Sequence, residues 1–231
     1  MKGIGKVGIG LGVALMSLWI LPGPAGAARP LNTDDAGTVA VNKFELDLGY
    51  GDESVGEINR GFSLLLRHGI TERLDLYVGT ECQLKPESGL DEVNIGFKGV
   101  LIPVKGNFPG FSLSVNLEPG QSEYFINAIL SQPWGEKLLL HFNLGYTNPE
   151  AFKKGDIFWG GAFDWAVVKR FNLVGEFFGE EGLGSENTST RSWLVGGKSS
   201  ITDYLVLDIA TGTKLSEDPG WYVTGGMTLT F

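Results

Sequence analysis

Cysteine is almost missing from this 231-residue chain. Cys82 is the only one, so no internal disulfide holds the fold together, and it reads as a free thiol, buried or facing lipid. Histidine is nearly as scarce: His68 and His141 alone leave little material for a metal centre or a Ser-His hydrolase. Bases are outnumbered, 18 Lys and Arg against 27 Asp and Glu, for a net charge of −9. Nucleic-acid binding needs clustered bases to neutralise phosphates, so that function class is excluded. Helix signals are missing too, since no stretch sustains apolar residues at i, i+3, i+4 and i+7. After residue 27 there is no run of about 18 apolar residues, hence no candidate transmembrane helix.

The start of the chain is of a different kind. Lys2 and Lys6 precede an apolar run from Val7 to Leu21, then Pro-Gly-Pro and the small triplet Ala25-Gly26-Ala27. A positive region, an apolar region and a small-residue site spell a secretory signal peptide, residues 1–27, cleaved after Ala27. Its removal takes two bases and no acids, which makes the exported chain more acidic still.

What is present is an alternation of period two. Phe44, Leu46, Leu48 and Tyr50 alternate with Glu45, Asp47 and Gly49; Leu74, Leu76, Val78 and Thr80 alternate with Asp75, Tyr77, Gly79 and Glu81. The same beat runs through Val93–Leu101 and Ile157–Trp165. Successive strand residues point to opposite faces, so each segment has one apolar and one hydrophilic side. About twelve such segments (10–14) are predicted, starting near Lys43, Arg60, Leu74, Glu92, Phe111, Glu123, Leu138, Asp156, Phe171, Arg191, Tyr204 and Trp221. Tight turns are expected near Thr71, Gly135, Lys169 and Asp203. Longer Gly-, Pro- and acid-rich loops are expected at 51–59, 83–91, 147–155, 179–190 and 216–220.

Alternation alone also fits a secreted β-sandwich. Three features favour a closed antiparallel up-and-down transmembrane β-barrel over residues 43–231. The signal peptide exports the chain. The hydrophilic face mixes Gly, Ala, Ser and Asn with isolated charges, as a crowded lumen would. Aromatics gather at the strand ends: Tyr50, Tyr124, Tyr146, Trp159, Trp193 and Trp221 near the long loops, and Trp134, Trp165, Phe171, Tyr204 and Phe231 near the tight turns. Two aromatic belts flanking an aliphatic band mark membrane interfaces. In the last segment Trp221, Val223, Gly225, Met227, Leu229 and Phe231 share a face; ten steps of about 3.3 Å tilted about 40° span roughly 25 Å, the height of a barrel's lipid band. Outer-membrane lipid is thus one expected partner. The terminal aromatic resembles the signal read by outer-membrane assembly machinery, a second. The expected location is the bacterial outer membrane, with both ends of the chain periplasmic.

Parity also sorts the charges. Glu45, Asp47, Asp75, Glu81, Glu118, Glu123, Asp164, Glu176 and Asp208 face inward, with Arg67, Lys98, Lys198 and Lys214. A net-acidic lumen favours cations or neutral solutes over anions. His141 is inward and His68 outward, and neither has a local serine or acid pattern that supports catalysis. No metal-ligand spacing, phosphate loop or nucleophile motif is present. The reading is therefore no enzyme, no cofactor and no metal.

The stretch "ARPLNTDDAGTVAVNKFELDLGY" resembles the segment that precedes the first strand in the phenol-degradation meta-pathway (MetA-pathway) family of outer-membrane proteins. "GITERLDLYVG" (69–79) is similar to that family's recurring turn-strand pattern. The resemblance implies a barrel passing small solutes, aromatic ones among them. Residues 28–42 are expected to lead in from the periplasm, with Asp34 and Asp35 capping a turn ahead of the first strand. Two functions stand: a narrow channel or transporter, and a structural or surface-interaction barrel with a plugged lumen.

Overall fold

A computed structural model describes residues 29–55, 57–85, 88–90, 93–119, 123–148, 155–183, 189–215 and 219–231; the signal-peptide reading lies outside them. The described residues form β1 (Phe44–Val55), β2 (Glu57–Thr71), β3 (Leu74–Lys85), β4 (Gly89–Leu90), β5 (Asn94–Ile102), β6 (Gly110–Glu118), β7 (Glu123–Trp134), β8 (Leu138–Asn148), β9 (Asp156–Val168), β10 (Phe171–Gly182), β11 (Ser189–Ser200), β12 (Leu205–Lys214) and β13 (Gly220–Thr230). β4 is a two-residue strip on β3. The other twelve pair antiparallel with their neighbours around a ring, which the β1–β13 pairing closes.

The seam runs the length of β1, from Glu45 opposite Thr230 to Ser54 opposite Trp221. It is locked at its end by a reciprocal pair, Phe44 N–H to Phe231 C=O and Phe231 N–H to Phe44 C=O, each 2.9 Å. Closure pairs β1 with β13 along its length, so the two ends of the sheet meet in a ladder and not at open edges.

One expected loop is not a loop. Residues 51–59 continue β1 to Val55 and resume in β2 at Glu57. Gly51, Asp52, Glu53 and Asn59 lack an apolar beat because this hairpin rises beyond the apolar band. Neither of its faces needs to be apolar there, and cross-strand pairing alone maintains it.

The ring inverts the usual distribution of polarity. Large apolar side chains such as Phe62, Leu76, Ile95, Leu144 and Ile209 are exposed outward, whereas Glu45, Asp47, Arg67, Asp75 and Lys98 are buried inside. Charged side chains are almost never fully buried unless paired, so the interior must hold their partners. The two rims differ. One carries the connections 72–73, 103–109, 135–137, 169–170 and 201–204 together with both chain ends of the barrel; the opposite rim carries the remaining connections.

Candidate functional site

The interior is occupied by the chain itself. Residues 29–41 do not lie ahead of the barrel, as the sequence suggested, but run inside it. The path starts at the tight-turn rim, where Asn42 N–H donates to Gly69 C=O at 2.8 Å and Thr38 Oγ1 donates to Glu72 C=O at 3.2 Å. From there the segment climbs inward to Arg29. It has no β-ladder, so its backbone donors must find other partners, and inward-facing side chains supply them.

Val39 N–H donates to both carboxylate oxygens of Asp75, at 3.1 and 3.0 Å. Ala36 N–H donates to Ser131 Oγ at 2.8 Å, and Ser112 Oγ donates to Ala36 C=O at 2.7 Å. Asp34 N–H donates to Asn143 Oδ1 at 2.9 Å, and Asn143 Nδ2 returns a bond of 2.9 Å to Asp34 C=O. Glu176 takes the largest share: its carboxylate accepts from Asn32 N–H (2.8 and 2.9 Å), Asn32 Nδ2 (2.8 Å) and Thr33 N–H (2.8 Å). Bonds to an ionised acceptor are roughly twice as strong as neutral ones, which makes Glu176 the principal clasp.

Side chains of the segment complete the seat. Leu31 packs into a small apolar patch formed by Ala162, Val174, Leu194 and Ala210, with Tyr222 against it. Arg29 forms an ion pair with Asp208 at 3.4 Å and donates to Thr224 Oγ1 at 3.1 Å and Ser63 Oγ at 3.4 Å. Room for its guanidinium depends on glycine: a Cβ at Gly49 would stand 1.9 Å from Arg29 Nη1, and one at Gly226 2.7 Å from Nη2.

Asp34 and Asp35 do cap a turn, but within the lumen. Asp34 Oδ1 accepts from Asp35 N–H at 2.9 Å, and Asp35 Oδ1 from Gly37 N–H at 2.6 Å. Lys98 Nζ binds the Asp34 carboxylate at 3.2 Å and Asp35 C=O at 3.2 Å. Burial acts to raise the Asp35 carboxyl, but Lys98, His141, the Gly37 amide and Arg67 outweigh it and hold it below the ordinary carboxylate value.

The remaining inward charges are tied to the wall. Arg67 bridges Glu45 (3.3 Å) and Asp47, whose second oxygen accepts from Thr228 Oγ1 at 2.5 Å. Lys198 pairs with Asp164, which also accepts from Asn172 Nδ2 at 2.5 Å. Ser131 Oγ lies 2.9 Å from His141 Nδ1, but Ala36 covers the serine, so this pair belongs to the seat of the segment. His68 points outward and stacks on Phe44, with ring centroids 4.2 Å apart. Of the inward candidates, Glu45, Asp47, Asp75, Asp164, Glu176 and Asp208 come together with Arg67, Lys98, Lys198 and the segment. Glu81, Glu118, Glu123 and Lys214 stand apart, toward the other rim.

Above Arg29 a cavity of about 490 Å³ opens toward that rim, with Glu53, Glu81, Glu180, Lys214 and Tyr222 in its wall. Beside it, inward rings form an arc: Phe125 meets Phe158 edge-on at 6.1 Å, and Phe158 meets Phe178 at 6.4 Å. Outside, Tyr50, Tyr124, Trp134, Trp165, Trp193, Tyr204, Trp221 and Phe231 are exposed; Tyr146 pairs with Tyr124 and Trp159 with Phe177. Sequence reading overlooked Ser63, Ser112, Asn127, Ser131 and Asn143 because it singled out charged positions and His141; Thr224 and Thr228 it placed inward by the parity of the last strand. All share the inward parity of the acids, which was the available signal.

No family model matches the chain, and no curated protein matches it in sequence. Among solved structures it is similar to the NanC porin, with a TM-score of 0.65 and 10% identity over 80% of this chain and 98% of that one. It is also similar to an outer membrane channel from Pseudomonas putida F1 (TM-score 0.63, 12% identity, 85% and 98% covered). A third likeness is to the KdgM porin in complex with disordered oligogalacturonate (TM-score 0.62, 10% identity, 81% and 99% covered). At such identities the likeness is one of fold.

Proposed function

We propose that this chain is an outer-membrane channel closed by its own N-terminal segment, residues 29–41, and that it passes small cationic or neutral solutes, aromatic ones included, when the segment withdraws. The seating of that segment carries the reading. Five of its backbone N–H groups bond side chains of the barrel wall rather than one another, so it is a separable insert whose removal leaves the ring of strands intact. The outward apolar face supports a membrane setting. The likeness in fold to porins and channels supports the channel role.

The selectivity follows from charge. Asp52, Glu53, Glu81 and Glu180 outnumber Arg29 and Lys214 in the lining of the upper cavity, and an acidic mouth attracts cations and repels anions. The arc of Phe125, Phe158 and Phe178 offers ring faces to a flat solute. A permanently plugged barrel with a surface role is the second reading, favoured by how completely the segment is bonded.

A reversible lock separates the two. In a Cys82→Ser background, Ala36→Cys and Ser131→Cys join the segment to β7. In planar bilayers the oxidised protein is expected to be silent and the reduced protein to conduct, with a reversal potential in a KCl gradient that favours K⁺. Silence in both states, and after deletion of residues 29–41, would leave the plugged structural barrel.

A further inference from the structure

The tight-turn rim carries a feature that the channel reading does not use. The connection between β5 and β6, residues 103–109, is the longest on this rim and presents Phe108 at 76% exposure, the highest of any large apolar side chain described. It is a fixed projection: Phe108 N–H donates to Lys105 C=O at 3.0 Å, and Gln132 Nε2 on β7 donates to Asn107 C=O at 3.0 Å. Gly106, at the tip, takes φ +59°, a conformation glycine adopts without steric cost. On β7 Trp134 is 70% exposed. Lys105 on the same turn and Lys137 on the next are both exposed.

Charge distinguishes this rim from the opposite one. Here the bases Lys43, Arg73, Lys105, Lys137, Lys169 and Arg170 outnumber the acids Glu72, Glu136 and Asp203, of which Asp203 lies 3.7 Å from Arg170. On the opposite rim two bases on the outer face are answered by acids one strand away, Arg60 by Asp52 at 2.9 Å and Arg191 by Glu181 at 3.6 Å. Two exposed rings beside two exposed lysines suit an anionic phospholipid headgroup better than a zwitterionic one, whose own cation competes with the lysines.

We infer that Phe108, Trp134, Lys105 and Lys137 form a docking site for anionic phospholipid headgroups on the tight-turn rim. The inference rests on the barrel lying in a membrane, but not on its conducting. The two lysines supply the charge preference, and the two rings supply affinity without regard to headgroup.

Native mass spectrometry of the purified barrel, with equal phosphatidylglycerol and phosphatidylcholine in the micelle, tests it. The wild type is expected to retain phosphatidylglycerol about tenfold or more over phosphatidylcholine. Lys105→Gln with Lys137→Gln is expected to bring the ratio close to one. Phe108→Ser should lower retention of both lipids and leave the ratio unchanged. Lys85→Gln with Arg191→Gln, on the other rim, should leave both unchanged. Heat-modifiable migration on a gel reports that each variant is folded; should the double variant fail, Lys105→Gln alone is expected to lower the ratio about threefold. Equal retention of the two lipids by the wild type, or an undiminished preference in the folded lysine variant, overturns the site. Failure of the protein to insert into vesicles would instead overturn the membrane reading, a separate result.

Discussion

Glu176→Ala is the sharpest probe of how the segment is held. The carboxylate accepts from three donors of the segment, the Asn32 and Thr33 amides and Asn32 Nδ2, all at 2.8–2.9 Å. A hydrogen bond to a charged partner contributes about 1.5–3 kcal/mol. The three do not add in full, because the cavity above Arg29 gives water a route to the freed amides. A net loss of about 2–4 kcal/mol is therefore expected, which converts to a shift of about 30-fold to about 700-fold in the ratio of seated to withdrawn segment. Single-channel recording reads this as open-time fraction against the wild type, with deletion of residues 29–41 marking the fully open limit. Glu176→Gln should fall between wild type and Glu176→Ala, since it keeps one acceptor oxygen and loses the charge. If Glu176→Ala stays as closed as the wild type while the deletion opens the pore, the carboxylate is not the clasp. If the deletion conducts no better than the full chain, the segment is not the closure.

Three further outcomes follow from the same geometry. Gly49→Val puts a side chain where the Arg29 guanidinium lies, 1.9 Å from Nη1 at the Cβ alone; Arg29 should be expelled from Asp208 and open-time fraction should rise as in Arg29→Ala. Leu31→Ala empties the patch of Ala162, Val174, Leu194 and Ala210 and should weaken seating by about 2–3 kcal/mol, measured by faster proteolytic clipping of the segment at unchanged barrel mobility. Deleting Phe231 removes both 2.9 Å bonds to Phe44 and should lower the temperature of heat-modifiable unfolding; an unchanged transition would mean the seam is held elsewhere.

The strands were legible because each reports its environment locally. In β13 the odd positions from Trp221 to Phe231 carry the apolar side chains, and Tyr222, Thr224, Gly226 and Thr228 the inward ones. The starts at Leu74, Glu123, Leu138, Asp156 and Phe171 coincide with the expected ones. Residues 51–59 were misread for a physical reason: above the apolar band a hairpin's two faces are alike, and the alternation that identifies a strand vanishes. The seat of the segment was half legible. Glu176, Asp75, Lys98 and Asp208 could be assigned inward by parity, but nothing local tied them to Arg29–Val39. Arg29 meets Thr224 across 195 positions and Asn32 meets Glu176 across 144.

The sequence by itself therefore determined the alternation, the inward acids and the closing last strand, since a period of two is enforced residue by residue by the pleat. Only the tertiary structure decided that residues 29–41 of the same chain lie within the lumen. Inward acids need positive or hydrogen-bonding partners wherever water is scarce, and a segment without periodicity can supply them from any point in the sequence. Which point it is depends on where closing the ring brings the wall, a property of the assembled barrel that no single strand encodes.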